Sequence, residues 1–141
     1  MYWLSEALKR VSMSSSISVV KRAYELSQAA AKEGFDWESA FSAANKVKEE
    51  LEEVIDELQK ADTAEGQKAL QEEIGDLFLA CICLSRHCGV EPEEAIELGV
   101  EKFLKRYKRF KAYANEKGIS LNEASEADLR SLWNSLKERN N

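Results

Sequence analysis

Apolar residues recur every three or four positions through most of the chain, and glycines or short polar stretches break that rhythm into segments. The spacing predicts helices throughout and no persuasive strand. The first helix runs from about Ser18 to Glu33 and stops at Gly34, where a glycine can end it. Asp36 is the expected cap of a second helix carrying Trp37, Phe41, Ala44, Val47, Leu51, Val54 and Leu58 on one stripe. The connection over residues 61–66 is short, so the third helix should return antiparallel. On that helix Leu70, Ile74, Leu77, Cys81, Leu84 and Cys88 form a heptad seam, and Gly89 ends it. Pro92 suits the first turn of a fourth helix reaching about Lys117, before Gly118. Ser125 and Asp128 resemble a capping box opening a short last helix that holds Trp133. The expected architecture is all-α, a bundle of about five helices. Residues 1–17, with their serine cluster, read as a lead-in, and residues 18–141 as a single domain.

From Leu77 to Leu84 the third helix is apolar on every side, which predicts burial all round. A chain of 141 residues has few helices to surround it. A second copy is the natural cover, so the core is expected to be completed by dimerisation.

Composition narrows the function. The net charge of −6 argues against general binding to a nucleic-acid polymer. No apolar run is long enough for a bilayer span or a signal-peptide core, so the reading places the chain in the cytoplasm, away from membranes. Cys81, Cys83, Cys88 and His87 invite a zinc site, but on one helix they point to different faces. They read instead as buried free thiols and a single histidine.

The informative chemistry is acidic. Glu73 and Asp76 stand three apart in the stretch EEIGDLFLACICL, where carboxylates run straight into the most apolar part of the chain. Glu50 and Glu53 repeat the spacing on the preceding helix. Residues three apart neighbour each other on a helix surface, and each pair sits at the edge of its helix's apolar stripe. Antiparallel packing would turn both pairs into one groove, where four carboxylates repel unless neutralised. A hard divalent cation such as Mg²⁺ is the economical partner. Gly75, lacking a Cβ, would let a backbone or ligand come close. A ferritin-like di-iron centre is excluded, because no Glu precedes His87 by three residues. Lys102, Lys105, Arg106, Lys108, Arg109 and Lys111 form a basic block, and Lys102 and Arg106 share a face from which they could grip phosphate. An ordinary solvated face is the competing reading for both the acids and this block.

Taken in order, GFDW at 34–37, KVKEELEEV at 46–54, EEIGDLF at 72–78, Arg86-His87 and KFLKRY at 102–107 resemble the MazG family of all-α nucleoside triphosphate pyrophosphohydrolases. The resemblance runs from about Val19 to Trp133 and is closest to the C-terminal catalytic domain of two-domain members, here standing alone. It implies Mg²⁺-dependent hydrolysis of a nucleoside triphosphate to the monophosphate and pyrophosphate, with Mn²⁺ as a substitute cofactor. By that likeness Glu50, Glu53, Glu73 and Asp76 are metal ligands. Lys102, Arg106 and, more weakly, Lys46 bind phosphates, and Trp133 lies near the nucleotide. Glu49, beside Glu50, orients or deprotonates the attacking water. Metal chemistry of this kind requires no covalent nucleophile, and no Walker-type glycine loop offers another phosphate cradle. The chain departs from the family at Val100, often Asn, and has Tyr107 as the second aromatic of the basic motif.

Three functions fit these residues. The first is hydrolysis of standard or damaged nucleoside triphosphates. The second is a specialised hydrolase of one pyrimidine deoxynucleotide or of a phosphoribosyl-ATP-like substrate. The third is a non-catalytic helical dimerisation module whose acids are surface charge.

Overall fold

The computed structural model describes residues 18–138, so the lead-in expected over residues 1–17 lies outside the described residues. Among the described residues the fold is all-α, as the apolar rhythm predicts. Helices α1 (Val19–Lys32), α2 (Ala40–Leu58), α3 (Ala64–His87), α4 (Pro92–Glu116) and α5 (Glu126–Glu138) follow in order, with no strand. The described residues divide into two compact units, one ending at Ala95 and one beginning at Ile96.

In the first unit, α3 packs against α2 and, less extensively, against α1. Helices α1, α2 and α3 each begin on a hydroxyl cap. Ser18 Oγ accepts from the Lys21 N–H at 3.1 Å, Ser39 Oγ from the Ser42 N–H at 3.1 Å, and Thr63 Oγ1 from the Gly66 N–H at 3.0 Å. Asp36 therefore does not cap α2, and Trp37 lies in the loop before it. The reason is reach. Ser39 directly precedes the helix, whereas Asp36 is drawn to the far end of α3 by Arg86 and His87. That contact joins the start of α2 to the end of α3, so the two helices run antiparallel as expected. Gly34 and Gly89, at φ 93° and 66°, end α1 and α3 in the left-handed region that glycine enters without steric cost.

Gly66 serves the tight turn between α2 and α3. A Cβ there would lie 2.0 Å from the Lys60 carbonyl oxygen. Gly66→Ala should therefore destabilise the fold by about 2–4 kcal/mol, read from the urea midpoint at unchanged slope. A wild-type midpoint would show that the turn opens at little cost. Gly75 behaves otherwise than expected. Among the described residues nothing lies within 4 Å of where its Cβ would be, so no neighbouring backbone there needs the space.

Burial also departs from expectation. Ala43, Val54 and Ala80 are buried, yet Phe78 and Leu79 on α3 remain 66% and 41% exposed, and Phe41 on α2 is 86% exposed. Among the described residues the helices packed on α3 cover only part of its circumference, so the segment expected to be buried all round stays partly exposed there. All three cysteines are free, but Cys81 and Cys88 are exposed and only Cys83 is half-buried, which corrects the reading of buried thiols.

The second unit gathers α4 beyond Ile96 with α5 around aromatic rings. Trp133 meets Phe103 at 5.5 Å and Phe110 edge-on at 5.7 Å, and Phe110, Ala114 and Leu136 are buried. At the start of α5, Ser125 Oγ accepts from the Asp128 N–H at 3.1 Å and donates to the Asp128 carboxylate at 2.6 Å. Half of the expected capping box thus forms, with the second bond made to the hydroxyl itself.

Candidate metal and phosphate site

Two helices of the first unit bring three of the four expected ligands together. Carboxylate oxygens of Glu50 on α2 and of Glu73 and Asp76 on α3 all lie within 4.8 Å of one another. The pairs meet because each sits three apart on its helix and the helices pack side by side in opposite directions. Glu53, one turn beyond Glu50, lies against both Glu50 and Glu73, and the crowding raises its carboxyl above the usual range, chiefly through Glu50.

The acids differ in setting. Glu50 is buried at 6% exposure, Glu73 is half-buried, and Asp76 is exposed. Asp76 therefore does not carry its charge into a core, contrary to what its apolar neighbours in the sequence suggested. The buried charge is that of Glu50, and a lysine one turn back meets it. Lys46 Nζ lies 2.6 Å from Glu50 Oε1 and 3.3 Å from Glu49 Oε2. This ammonium holds the Glu50 carboxyl below the usual range and is itself raised by the same bond. Oε2 of Glu50 is buried and finds no donor among the described residues.

The donor set suits a hard cation. Two oxygens on one Mg²⁺, each about 2.1 Å from it, stand at most about 4.2 Å apart. The oxygens of the three carboxylates lie within 4.8 Å of one another, at most a few tenths of an ångström wider, within reach of side-chain adjustment. The orphaned Glu50 Oε2 points the same way, because a buried acceptor without a donor is unfavourable unless something positive joins it. The acids, the basic helix and Trp133 do not all belong to one unit. Lys102 is exposed on α4, while Arg106 places its guanidinium 5.3 Å from the centre of the Trp133 ring, with Nε buried and without an acceptor among the described residues. Val100 is exposed, and Tyr107 stacks on Phe103 at 5.9 Å.

A second polar cluster was hidden from the spacing argument. Oδ1 of Asp36 accepts from the Trp37 N–H at 2.8 Å, meets His87 Nε2 at 2.8 Å and pairs with Arg86 Nη2. Arg86 Nε donates to Ser27 Oγ on α1 at 2.8 Å. The only trace in the sequence is that GFDW and Arg86-His87 both belong to the recognisable motifs. The bond to Arg86, foremost, holds the Asp36 carboxyl below the usual carboxylate range. A carboxyl depressed in the folded state contributes stability above its unfolded value, and that stability is lost as pH falls through the folded value. Wild type should therefore lose more urea resistance than Asp36→Asn between about pH 6 and about pH 3. Equal losses would show that the bridge contributes nothing.

The class these features define is an all-α chain in which α2 and α3 pool carboxylates, and sequence comparison makes it specific. The chain belongs to the MazG nucleotide pyrophosphohydrolase domain family, whose profile matches residues 38–110. It is 30% identical over 124 residues to the nucleoside triphosphate pyrophosphohydrolase of Escherichia coli K12, covering 88% of this chain and 46% of that protein. It is 29% identical over 121 residues to the nucleoside triphosphate pyrophosphohydrolase/pyrophosphatase MazG of Thermotoga maritima, covering 86% and 45%. An uncharacterized Bacillus subtilis protein, YabN, shares 36% identity over 69 residues, 49% of this chain and 14% of its own length. The chain thus spans about half the length of the first two relatives. Among the described residues no helix is long and apolar enough to cross a membrane.

Proposed function

We propose that the chain hydrolyses nucleoside triphosphates to the monophosphate and pyrophosphate in the cytoplasm, using Mg²⁺ held by Glu50, Glu53, Glu73 and Asp76. The observation that carries this reading is the meeting of Glu50, Glu73 and Asp76 oxygens from two helices within 4.8 Å, in a chain of this family. When bound, the cation supplies charge neutralisation and polarises the phosphoryl group. The chain's own residues prepare for it. Lys46 anchors the buried Glu50, Glu53 stands against Glu50 and Glu73, and the largely exposed Glu49 is the acid we assign to orienting the attacking water. Phosphate contacts fall to Lys102 and Arg106, and Arg106 has a donor without a partner among the described residues. Lys46 is already committed to two carboxylates, which weakens its candidacy as a phosphate ligand.

The test is product analysis across a nucleotide panel with Mg²⁺ or with chelator. Equimolar monophosphate and pyrophosphate, abolished by chelation, is the expected result. Release of orthophosphate, or no hydrolysis of any triphosphate, would overturn the proposal.

We further propose that the working form is a homodimer. Phe41, Leu51 and Leu58 on α2 and Ile74 and Phe78 on α3 leave an apolar area on the first unit that solvent covers poorly. Sedimentation at low micromolar concentration should show a dimer, and folded monomers there would refute it.

A further inference from the structure

Lys46 stands between two carboxylates in unlike settings. Its ammonium lies 2.6 Å from Oε1 of Glu50 and 3.3 Å from Oε2 of Glu49. Glu50 belongs to the acids that converge within 4.8 Å, and its side chain is only 8% exposed. Glu49 stands outside that group, and its side chain is 64% exposed. We infer that Lys46 is a built-in counter-ion of the metal-free site, which yields Glu50 and moves onto Glu49 when a divalent cation binds. The inference rests on the Mg²⁺-dependent reading and adds to it a residue that sets how tightly the site takes metal.

Three observations carry it. The first is need. A buried carboxylate without a counter-charge is costly, and Lys46 supplies that charge to Glu50. The second is competition. Oε2 of Glu50 is buried and has no donor among the described residues, so the carboxylate is half engaged and can still accept a cation. A doubly charged ion there repels an ammonium on the other oxygen, and strongly, because burial lowers the effective dielectric. The third is the second berth. A lysine ammonium is a compact charge on a flexible stem, and Glu49, one turn on, already holds it at 3.3 Å. The transfer needs only side-chain rotation and leaves the backbone of α2 in place. It puts the ammonium on the acid assigned to orienting the attacking water, so filling the metal site also fixes that carboxylate.

Isothermal titration calorimetry with Mg²⁺ alone, without nucleotide, is the test, alongside melting curves with and without the metal. Lys46→Met keeps the apolar stem and removes the charge. It should melt below wild type without metal, because Glu50 is left uncompensated, yet bind Mg²⁺ about tenfold more tightly. Saturating Mg²⁺ should close the gap in melting temperature. Lys46→Arg keeps the charge and grips carboxylates with two prongs, so it should bind Mg²⁺ about tenfold more weakly than wild type. It decides alone if Lys46→Met does not fold. Glu49→Gln removes the second berth and should weaken Mg²⁺ binding in the wild-type background, but lose most of that effect beside Lys46→Met. Equal or weaker Mg²⁺ binding by Lys46→Met, or unweakened binding by Lys46→Arg, would make Lys46 a fixed clamp on Glu50; the inference then fails and the function stands. Equal losses from Glu49→Gln in both backgrounds would refute it as well. Wild type that takes up no Mg²⁺ would sink the metal reading along with it.

Discussion

Glu73→Gln should yield a folded protein that no longer releases pyrophosphate. Glu73 lies against Glu53 and within 4.8 Å of Glu50 and Asp76, all of them acids, so losing its charge relieves repulsion in the metal-free chain. Its half-buried side chain keeps its shape as Gln. Residues that merely orient metal ligands cost roughly 10–100-fold when lost, so a direct ligand should cost more than about 100-fold in kcat/KM. Glu50→Gln should be equally inactive but less neutral for the fold. It would give up a charge-assisted bond to Lys46 at 2.6 Å in a buried setting. The pair of variants therefore separates roles. Both should be inactive, with Glu73→Gln retaining the wild-type melting temperature and Glu50→Gln melting lower. A fully active Glu73→Gln would remove that residue from the site, and unfolding of both would point to a structural acid cluster.

That contrast was invisible in the sequence. The spacings Glu50/Glu53 and Glu73/Asp76 announce two carboxylate pairs, and antiparallel packing brings three of the four within a cation's reach. Which acid is buried depends on how deeply α2 and α3 settle together, and no periodicity encodes that depth. Spacing put Asp76 in the apolar region, but the fold leaves it exposed and buries Glu50 with Lys46. The helix ends were readable because hydroxyl caps and left-handed glycines act locally. Asp36 was misread for the opposite reason. Its partners Arg86 and His87 are about fifty residues away, and a tertiary bond displaced the local cap expected of an aspartate before a helix. The all-round apolar run on α3 foretold burial that the described residues do not supply, and Phe78 and Leu79 record the shortfall.

Asp76→Asn should lose the Mg²⁺-dependent rise in melting temperature while melting normally without metal. The exposed position predicts the second half, because substitutions of solvated groups outside special contacts change stability little. The first half follows from linkage. A ligand that binds only the folded state stabilises it by about 2.7 kcal/mol at a hundredfold excess over Kd. For a domain of this size that corresponds to a rise of roughly 5–10 °C. Asn keeps one carbonyl oxygen but removes the charge that makes a carboxylate a good ligand for a hard cation, so affinity should fall and the curve should shift to higher Mg²⁺. Gly75→Ala, the adjacent substitution, supplies the control. It adds a methyl where this chain has open space and should raise the metal-free melting temperature through helix propensity, by about 1 kcal/mol. Its Mg²⁺ response should match wild type. A full metal-dependent shift in Asp76→Asn would mean that Asp76 is not a ligand, leaving Glu50, Glu53 and Glu73 to hold the cation without it.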